Sequence, residues 1–287
     1  MSNILLKEHT LGGKSTKMNV INMIQEFLPL LMLLPITLVI HFVNIKPFQR
    51  GFFCDDHTLK YPYIENETVP QHICLVIWIV ISGVTILTTQ ILNQSTSIKD
   101  VKRMITGVLC CILLTDVAKY SVGRLRPHFL TLCDPDYNNV CFGEEAYYSD
   151  GDEDFLNEFY QKYVNESEVC SNEKPHLLHE ARLSFMSGHA SFSFYCATFL
   201  IMYVNMKSKQ LDWMSKIAPC IQLLLLVLAT WISITRISDY YHYPFDVICG
   251  AVTGAGIALY FSDTENKLDE TPIGETIRPM MMNDVTL

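Results

Sequence analysis

Apolar positions in this chain gather into long blocks; they follow neither the alternation of a strand nor the one-sided stripe of a surface helix. Six blocks stand out, at about 24–43, 73–92, 103–119, 188–206, 217–234 and 247–262. A bilayer crossing needs ~20 largely uncharged residues, and the blocks approach that length. Inside hydrocarbon every backbone N–H and C=O must be bonded within its own segment, which predicts helices. Runs such as Ile217 to Leu228 lack the two-residue alternation of a membrane β-barrel. The predicted fold is all-α, a polytopic membrane protein with six transmembrane helices. It divides into an arm at 1–20, a membrane domain at 21–262 containing a long loop at 120–187, and a tail at 263–287. The first block starts late, runs long and lacks a small-residue cleavage site, so it reads as a retained span rather than a secretory leader.

Orientation follows from Lys and Arg in the short connections. The loop at 93–102 and its boundary carry Lys99, Lys102 and Arg103, and the loop at 207–216 carries Lys207, Lys209 and Lys216. The arm adds Lys7, Lys14 and Lys17. Both termini are therefore expected in the cytosol, with loop 120–187 outside the cell or in a lumen. The sequons at Asn66 and Asn165 fall on that outer side, whereas Asn93 falls on the inner side and should go unused. Cys54, Cys133, Cys141 and Cys170 also lie outside, an even number that permits three pairings; the other six cysteines sit in spans.

Composition narrows the picture. The 287 residues are 49% hydrophobic and 18% charged, with positive mean hydropathy, and the gathering of the apolar ones into bilayer-length blocks excludes a soluble globule, a disordered chain and a small disulfide scaffold. A net charge of −9 argues against nucleic acid as partner, since phosphate-backbone contact wants a basic surface. Most of that acid lies in one loop and the tail. Several short patterns carry no chemistry. Gly13-Lys14-Ser15 ends like a phosphate loop but has Glu8 where a glycine is required. Cys170, His176 and His179 lack a fourth metal ligand and the usual spacing. The acidic run at 150–154 lacks the calcium-loop pattern. The terminal Val285-Thr286-Leu287 is too short a match for a docking strand to carry weight.

Charged and histidine residues that abut the blocks are more informative. Lys119 ends the third block, and Arg124 and Arg126 follow. Ser187-Gly188-His189 opens the fourth, Arg236 ends the fifth, and His242 and Asp246 bracket the start of the sixth. Helices cross alternately, so these four ends share one membrane face. Snorkelling would explain Lys119 or Arg236 alone. It explains neither two facing histidines nor cations gathered on the outer side, and an anionic ligand is the simplest reason for both.

The set fits a phosphate monoester. Lys119, Arg126 and Arg236 can offset its charge, the arginines through forked donors. Ser187 and Gly188 stand where free amides of a helix start favour an anion. Asp246 can orient His242 as a nucleophile or base, and His189 can protonate a departing oxygen. No carboxylate cluster for magnesium is apparent, so no metal and no cofactor is expected.

At these residues the sequence resembles the lipid phosphate phosphatases, the phosphatidic acid phosphatase type 2 group of the vanadium-haloperoxidase-like superfamily. Lys119 with Arg126-Pro127 fits the first family motif, Ser187-Gly188-His189 the second, and Arg236, His242 and Asp246 the third with both gaps intact. Met186 replaces a common Pro and Thr235 a common Ser. Pro47 to Cys54, Tyr61-Pro62-Tyr63 and Gly123 to Phe129 look like the animal branch, so the resemblance covers roughly 20–262. It implies a vanadium-haloperoxidase-like helical core and magnesium-independent hydrolysis through a phosphohistidine on His242, oriented by Asp246. It implies His189 as the acid and a phosphoryl cradle of Lys119, Arg126, Ser187, Gly188 and Arg236. The implied substrates are phosphatidate, lysophosphatidate, sphingosine 1-phosphate and ceramide 1-phosphate, presented by the bilayer, with the plasma membrane as expected host. Family members can form homo-oligomers. The rival readings are a catalytically silent scaffold, which typically loses a motif histidine, a phosphotransferase using the same intermediate, and an anion transporter. The last would want an inverted repeat or charges near mid-membrane.

Overall fold

A computed structural model describes residues 27–40, 43, 45–93, 98–136, 140–141, 162–165, 169–170, 175–209 and 211–269, with side chains to 262. The arm at 1–20, the acidic run at 150–154 and the tail beyond 269 lie outside the described residues.

Each apolar block forms a helix. α1 spans Phe27–Ile40, α2 Gln71–Leu92 and α3 Ile98–Val122; α6 spans Gly188–Ser208, α7 Asp212–Ser238 and α8 Pro244–Asp269. The short α4 (Phe129–Cys133) and α5 (Pro175–Glu180), with strands β1 (Phe52–Phe53) and β2 (Tyr163–Val164), lie in the connecting segments. Helix ends run past the sequence expectation because polar residues such as Asp100 and Tyr120 continue the turn once packed; α3 gains several residues at its start and three at its end.

Among the described residues four helices, α2, α3, α7 and the part of α8 to Ser262, are long and apolar enough to cross a bilayer; α1 is a shorter apolar helix over its described length. α6 differs from all of them. It packs most extensively on α8 and α7 and also on α2 and α3, and no residue from 188 to 204 is exposed. A wrapped helix can carry Ser191, Ser193 and Tyr195 where a lipid-facing one wants aliphatics, which is why its sequence signal was weaker. The lipid-facing surface comes instead from side chains such as Ile79, Leu87, Leu224, Val227 and Val252, all more than half exposed.

Most of the buried polar side chains of the bundle find partners, as a medium without water requires, with Ser82 Oγ an exception among the described residues. Trp78 Nε1 donates to Ser193 Oγ at 3.0 Å, Thr89 Oγ1 to Tyr203 Oη at 3.0 Å, and the Thr115 and Ser191 hydroxyls lie 2.9 Å apart. Thr115, Ser233 and Ser262 also bond the carbonyl four residues back. Close approach of α6 and α8 depends on glycine: a Cβ at Gly254 would meet Ser191 O at 2.0 Å and one at Gly250 would meet Ser187 O at 2.6 Å. Their four-residue spacing is the small-residue pattern that lets membrane helices touch backbone to backbone.

A second core sits beyond the helix ends on the site's side, built from Phe52, Leu59, Leu125, Phe129, Leu130 and Leu178 with neighbours. β1 pairs antiparallel with β2, Phe52 opposite Val164. The four cysteines whose pairing the sequence left open form Cys54–Cys141 and Cys133–Cys170. Cys54–Cys141 ties the segment after α1 to the long loop, and Cys133–Cys170 cross-links the loop to itself.

Candidate active site

The site is assembled where four helix ends meet. Lys119 projects from the last turn of α3. Past Val122 the chain turns through Gly123, whose φ of 55° is left-handed and whose missing side chain makes room for Phe48 O; this turn delivers Arg124 and Arg126. Ser187 caps α6 in extended conformation, its hydroxyl accepting from Ala190 N, so Gly188 and His189 occupy the helix's first turn. α7 ends after Arg236 in a tight reversal. The amides of Tyr241 and His242 both donate to Arg236 O at 3.1 Å, and Tyr240 adopts φ 59°. This turns His242 back over the site before Pro244 starts α8.

One cavity of about 660 Å3 joins these elements, lined by Lys119, Arg126, Gly188, His189, Arg236 and His242 among others. Its walls also include Leu38 of α1, Leu75 of α2, Leu109 and Ile112 of α3 and Phe192 of α6. The structure thus brings together the two histidines and the three cations that the sequence singled out, with Ser187 at 0% exposure directly behind Gly188.

Arg236 is 1% exposed and held by three side-chain partners. Nε donates to Thr235 Oγ1 at 3.2 Å, Nη1 to Glu67 Oε2 at 2.5 Å and Nη2 to Asp239 Oδ2 at 2.8 Å. Asp239 is itself fixed by the amide and hydroxyl of Thr68 at 2.9 and 2.8 Å. Arg126 meets Glu180 at 3.4 Å, and its buried Nε has no hydrogen-bond partner among the described residues. A buried donor without an acceptor costs about 1–3 kcal/mol, which an incoming phosphoryl oxygen would recover. Gly188 leaves a cradle: an added Cβ would stand 3.6 Å from Lys119 Nζ.

Each imidazole is oriented by a backbone carbonyl. His242 Nδ1–H donates to Ser184 O at 2.6 Å, and His189 Nε2–H donates to Val69 O at 3.1 Å. A carbonyl only accepts, so these bonds leave Nε2 of His242 and Nδ1 of His189 for chemistry. Burial, then Arg126, Lys119 and His189, push His242 well below the ordinary imidazole range, so its free nitrogen carries a lone pair.

Asp246 differs from its sequence expectation. Its carboxylate does not bond the His242 ring. Oδ1 accepts from Arg124 Nη1 at 2.6 Å, and Oδ2 accepts from Ser184 Oγ at 2.6 Å and from Tyr243 N at 3.2 Å. The reason is that Pro244 begins α8, so His242 precedes the helix and the four-residue spacing to Asp246 no longer stacks the two side chains.

Other site residues were not legible in the sequence. Glu67 and Val69 sit in the segment leading into α2, and Ser184 in the approach to α6. Tyr241 lies between the arginines, its ring 5.1 Å from the Arg126 guanidinium and 5.7 Å from that of Arg236. Burial raises its phenol pKa, and the hydroxyl donates to Ile64 O at 2.9 Å. His128 packs edge-on to Tyr63 and Tyr241 and donates from Nδ1 to Tyr240 O at 2.9 Å. Its Arg-Pro-His context was a signal available but unused. Asn66 and Asn165 are both exposed. His179 lies outside the lining of this cavity, donating to Ile45 O at 3.0 Å.

Comparison with known proteins agrees with this geometry. Residues 100–269 match the PAP2 superfamily model. The chain is 35% identical over 230 residues to phospholipid phosphatase 1 of Rattus norvegicus, covering 74% of each chain. It is 33% identical over 244 residues to phospholipid phosphatase 2 of Homo sapiens, covering 76% of this chain and 75% of that one. No solved structure matches. The matched region starts inside α3 and ends with α8, so it holds every residue of the three spaced motifs. The protein is an integral membrane member of the PAP2 superfamily and a lipid phosphate phosphatase by family.

Proposed function

We propose that this protein hydrolyses phosphate monoesters of membrane lipids, such as phosphatidate, lysophosphatidate, sphingosine 1-phosphate and ceramide 1-phosphate, through a phosphohistidine on His242. The observation that carries this reading is the single cavity in which two imidazoles and three cations adjoin an aliphatic wall from α1, α2, α3 and α6. The cations suit a phosphate dianion, and the wall suits the alkyl chain attached to it.

Lys119, Arg126, Arg236 and the amides at the start of α6 hold the phosphoryl oxygens. The His242 Nε2 lone pair attacks phosphorus as the bond to the lipid oxygen breaks. His189, protonated when the bound phosphate's charge offsets the neighbouring cations, gives its Nδ1 proton to that oxygen and releases a neutral lipid alcohol. Water then attacks the phosphohistidine and yields its proton to His189. The N–P electron pair returns to His242 as phosphate leaves.

The site is read as facing outside the cell or a lumen, with cytosolic termini. The Lys and Arg bias of the short loops, the exposed Asn66 and Asn165, and two disulfides on the site's side support this, since disulfides persist in oxidising compartments.

The test is phosphate release from a panel of lipid phosphates by purified protein beside His242→Ala. Release by the wild type with loss of at least ~10³-fold in the variant is expected, together with an acid-labile, alkali-stable phosphoenzyme in the wild type alone. Turnover retained by the variant would refute the nucleophile assignment. A chelator should leave the wild-type rate unchanged, because cationic side chains supply the electrostatics; loss restored by magnesium would show another mechanism.

A further inference from the structure

Ser184 is fully buried, and each of its polar groups is committed. Its amide donates to Arg124 O at 3.0 Å, its hydroxyl donates to Asp246 Oδ2 at 2.6 Å, and its carbonyl accepts the Nδ1 proton of His242 at 2.6 Å. Arg124 closes the ring by placing Nη1 2.6 Å from Asp246 Oδ1 while its guanidinium lies over the Tyr243 ring. Asp246 also accepts Ser187 N at its backbone carbonyl, at 3.1 Å. The carboxylate is 0% exposed, and no hydrogen bond joins it to the imidazole.

We propose that Ser184 is the positioning residue through which Asp246 acts on His242: the carboxylate holds the serine hydroxyl, and the serine carbonyl holds the imidazole proton. This rests on the reading of His242 as nucleophile. The carbonyl fixes the tautomer that leaves Nε2 unprotonated, and it fixes the ring plane that aims Nε2 into the cavity. When the ring becomes cationic on phosphorylation, its Nδ1–H bond to the carbonyl strengthens. The charge of Asp246, one residue's width behind, favours the same state. Removing the hydroxyl frees the peptide to rotate and deprives the buried carboxylate of its shortest neutral donor. The Ser184 hydroxyl and the Asp246 carboxylate make no bond to Lys119, Arg126, Gly188 or Arg236, so ground-state binding should be spared.

The experiment uses the full chain in lipid nanodiscs, with a short-chain phosphatidate as substrate and rapid-quench detection of the phosphoenzyme. Ser184→Ala should lower kcat and the rate of phosphoenzyme formation about 10- to 100-fold, with KM within threefold. Ser184→Thr, which keeps the hydroxyl, should recover most of that loss. Asp246→Asn combined with Ser184→Ala should lose little more than the worse single variant, because both cut the same chain. If Ser184→Ala does not fold, Ser184→Cys, with its weaker donor, should fold and show an intermediate kcat loss. The proposal is overturned if the serine variant turns over within threefold of wild type, if Thr is as damaging as Ala, or if the two losses multiply. His242→Ala separates the two readings. Turnover in that variant sinks the nucleophile assignment, whereas a dead His242→Ala beside an unaffected Ser184→Ala sinks only the relay.

Discussion

A methyl group added at Gly188 would stand 3.6 Å from Lys119 Nζ and 3.7 Å from Thr115 Cγ2, clear of any backbone. It fits the fold but fills the cradle where a phosphoryl oxygen would meet the α6 amides. Gly188→Ala should therefore keep the thermal midpoint within about 2 °C, since its ΔΔG is within about 0.5 kcal/mol, while kcat/KM falls about 100-fold; parallel unfolding and steady-state assays check both. Protonation makes a second residue-scale test. His128 is buried among aromatic rings, and burial, then Arg126, lowers its pKa to about 3, against about 6.5 when unfolded. His242 shifts the same way. Between those pH values the unfolded chain binds protons that the folded chain refuses. Stability is thus complete above pH 6.5 and is lost as pH falls, by up to about 1.4 kcal/mol per unit for each such histidine. Thermal unfolding from pH 7 to 4.5 should show this slope, and His128→Gln should make it shallower.

Helix pairing carries its own prediction. A side chain at Gly254 would collide with Ser191 O, whereas one at Gly256, on the same helix, meets nothing within 4 Å. Gly254→Val should destabilise by 3 kcal/mol or more and cut the folded yield, and Gly256→Ala should do neither; size-exclusion profiles of the two variants decide. The elements themselves were legible because long apolar blocks leave a chain few options, and because helices that cross alternately fix which ends share a face. That logic grouped Lys119, Arg126, His189, Arg236 and His242, which line one cavity. It missed Glu67, Val69 and Ser184 because their links to Arg236, His189 and His242 cross 58 to 169 residues of sequence. Two of those links run through backbone carbonyls, which every residue owns and no motif marks. Asp246 was found but assigned the wrong neighbour, since helical spacing holds only where both residues are helical.

Taken whole, the molecule has a membrane bundle and, beyond its helix ends, an outer module with its own apolar core, cross-linked internally by two disulfides. Cys54–Cys141 closes the longer loop, with a sequence separation of 87. Replacing both of its cysteines with serine should cost about 2–4 kcal/mol, lower the midpoint of the outer module, and loosen the segment bearing Glu67 and Val69, read as proteolytic sensitivity there before any loss in the bundle. The bundle has a further consequence. No residue of α6 from 188 to 204 is exposed, so the height of its first turn is set mainly by neighbouring side chains and not by acyl-chain length. A thicker or thinner membrane can tilt the outer helices and change how far a headgroup must climb, yet the floor on which phosphorus lands keeps its shape. Host lipid can therefore govern delivery of substrate to the protein, while the bond-breaking geometry is indifferent to the membrane around it.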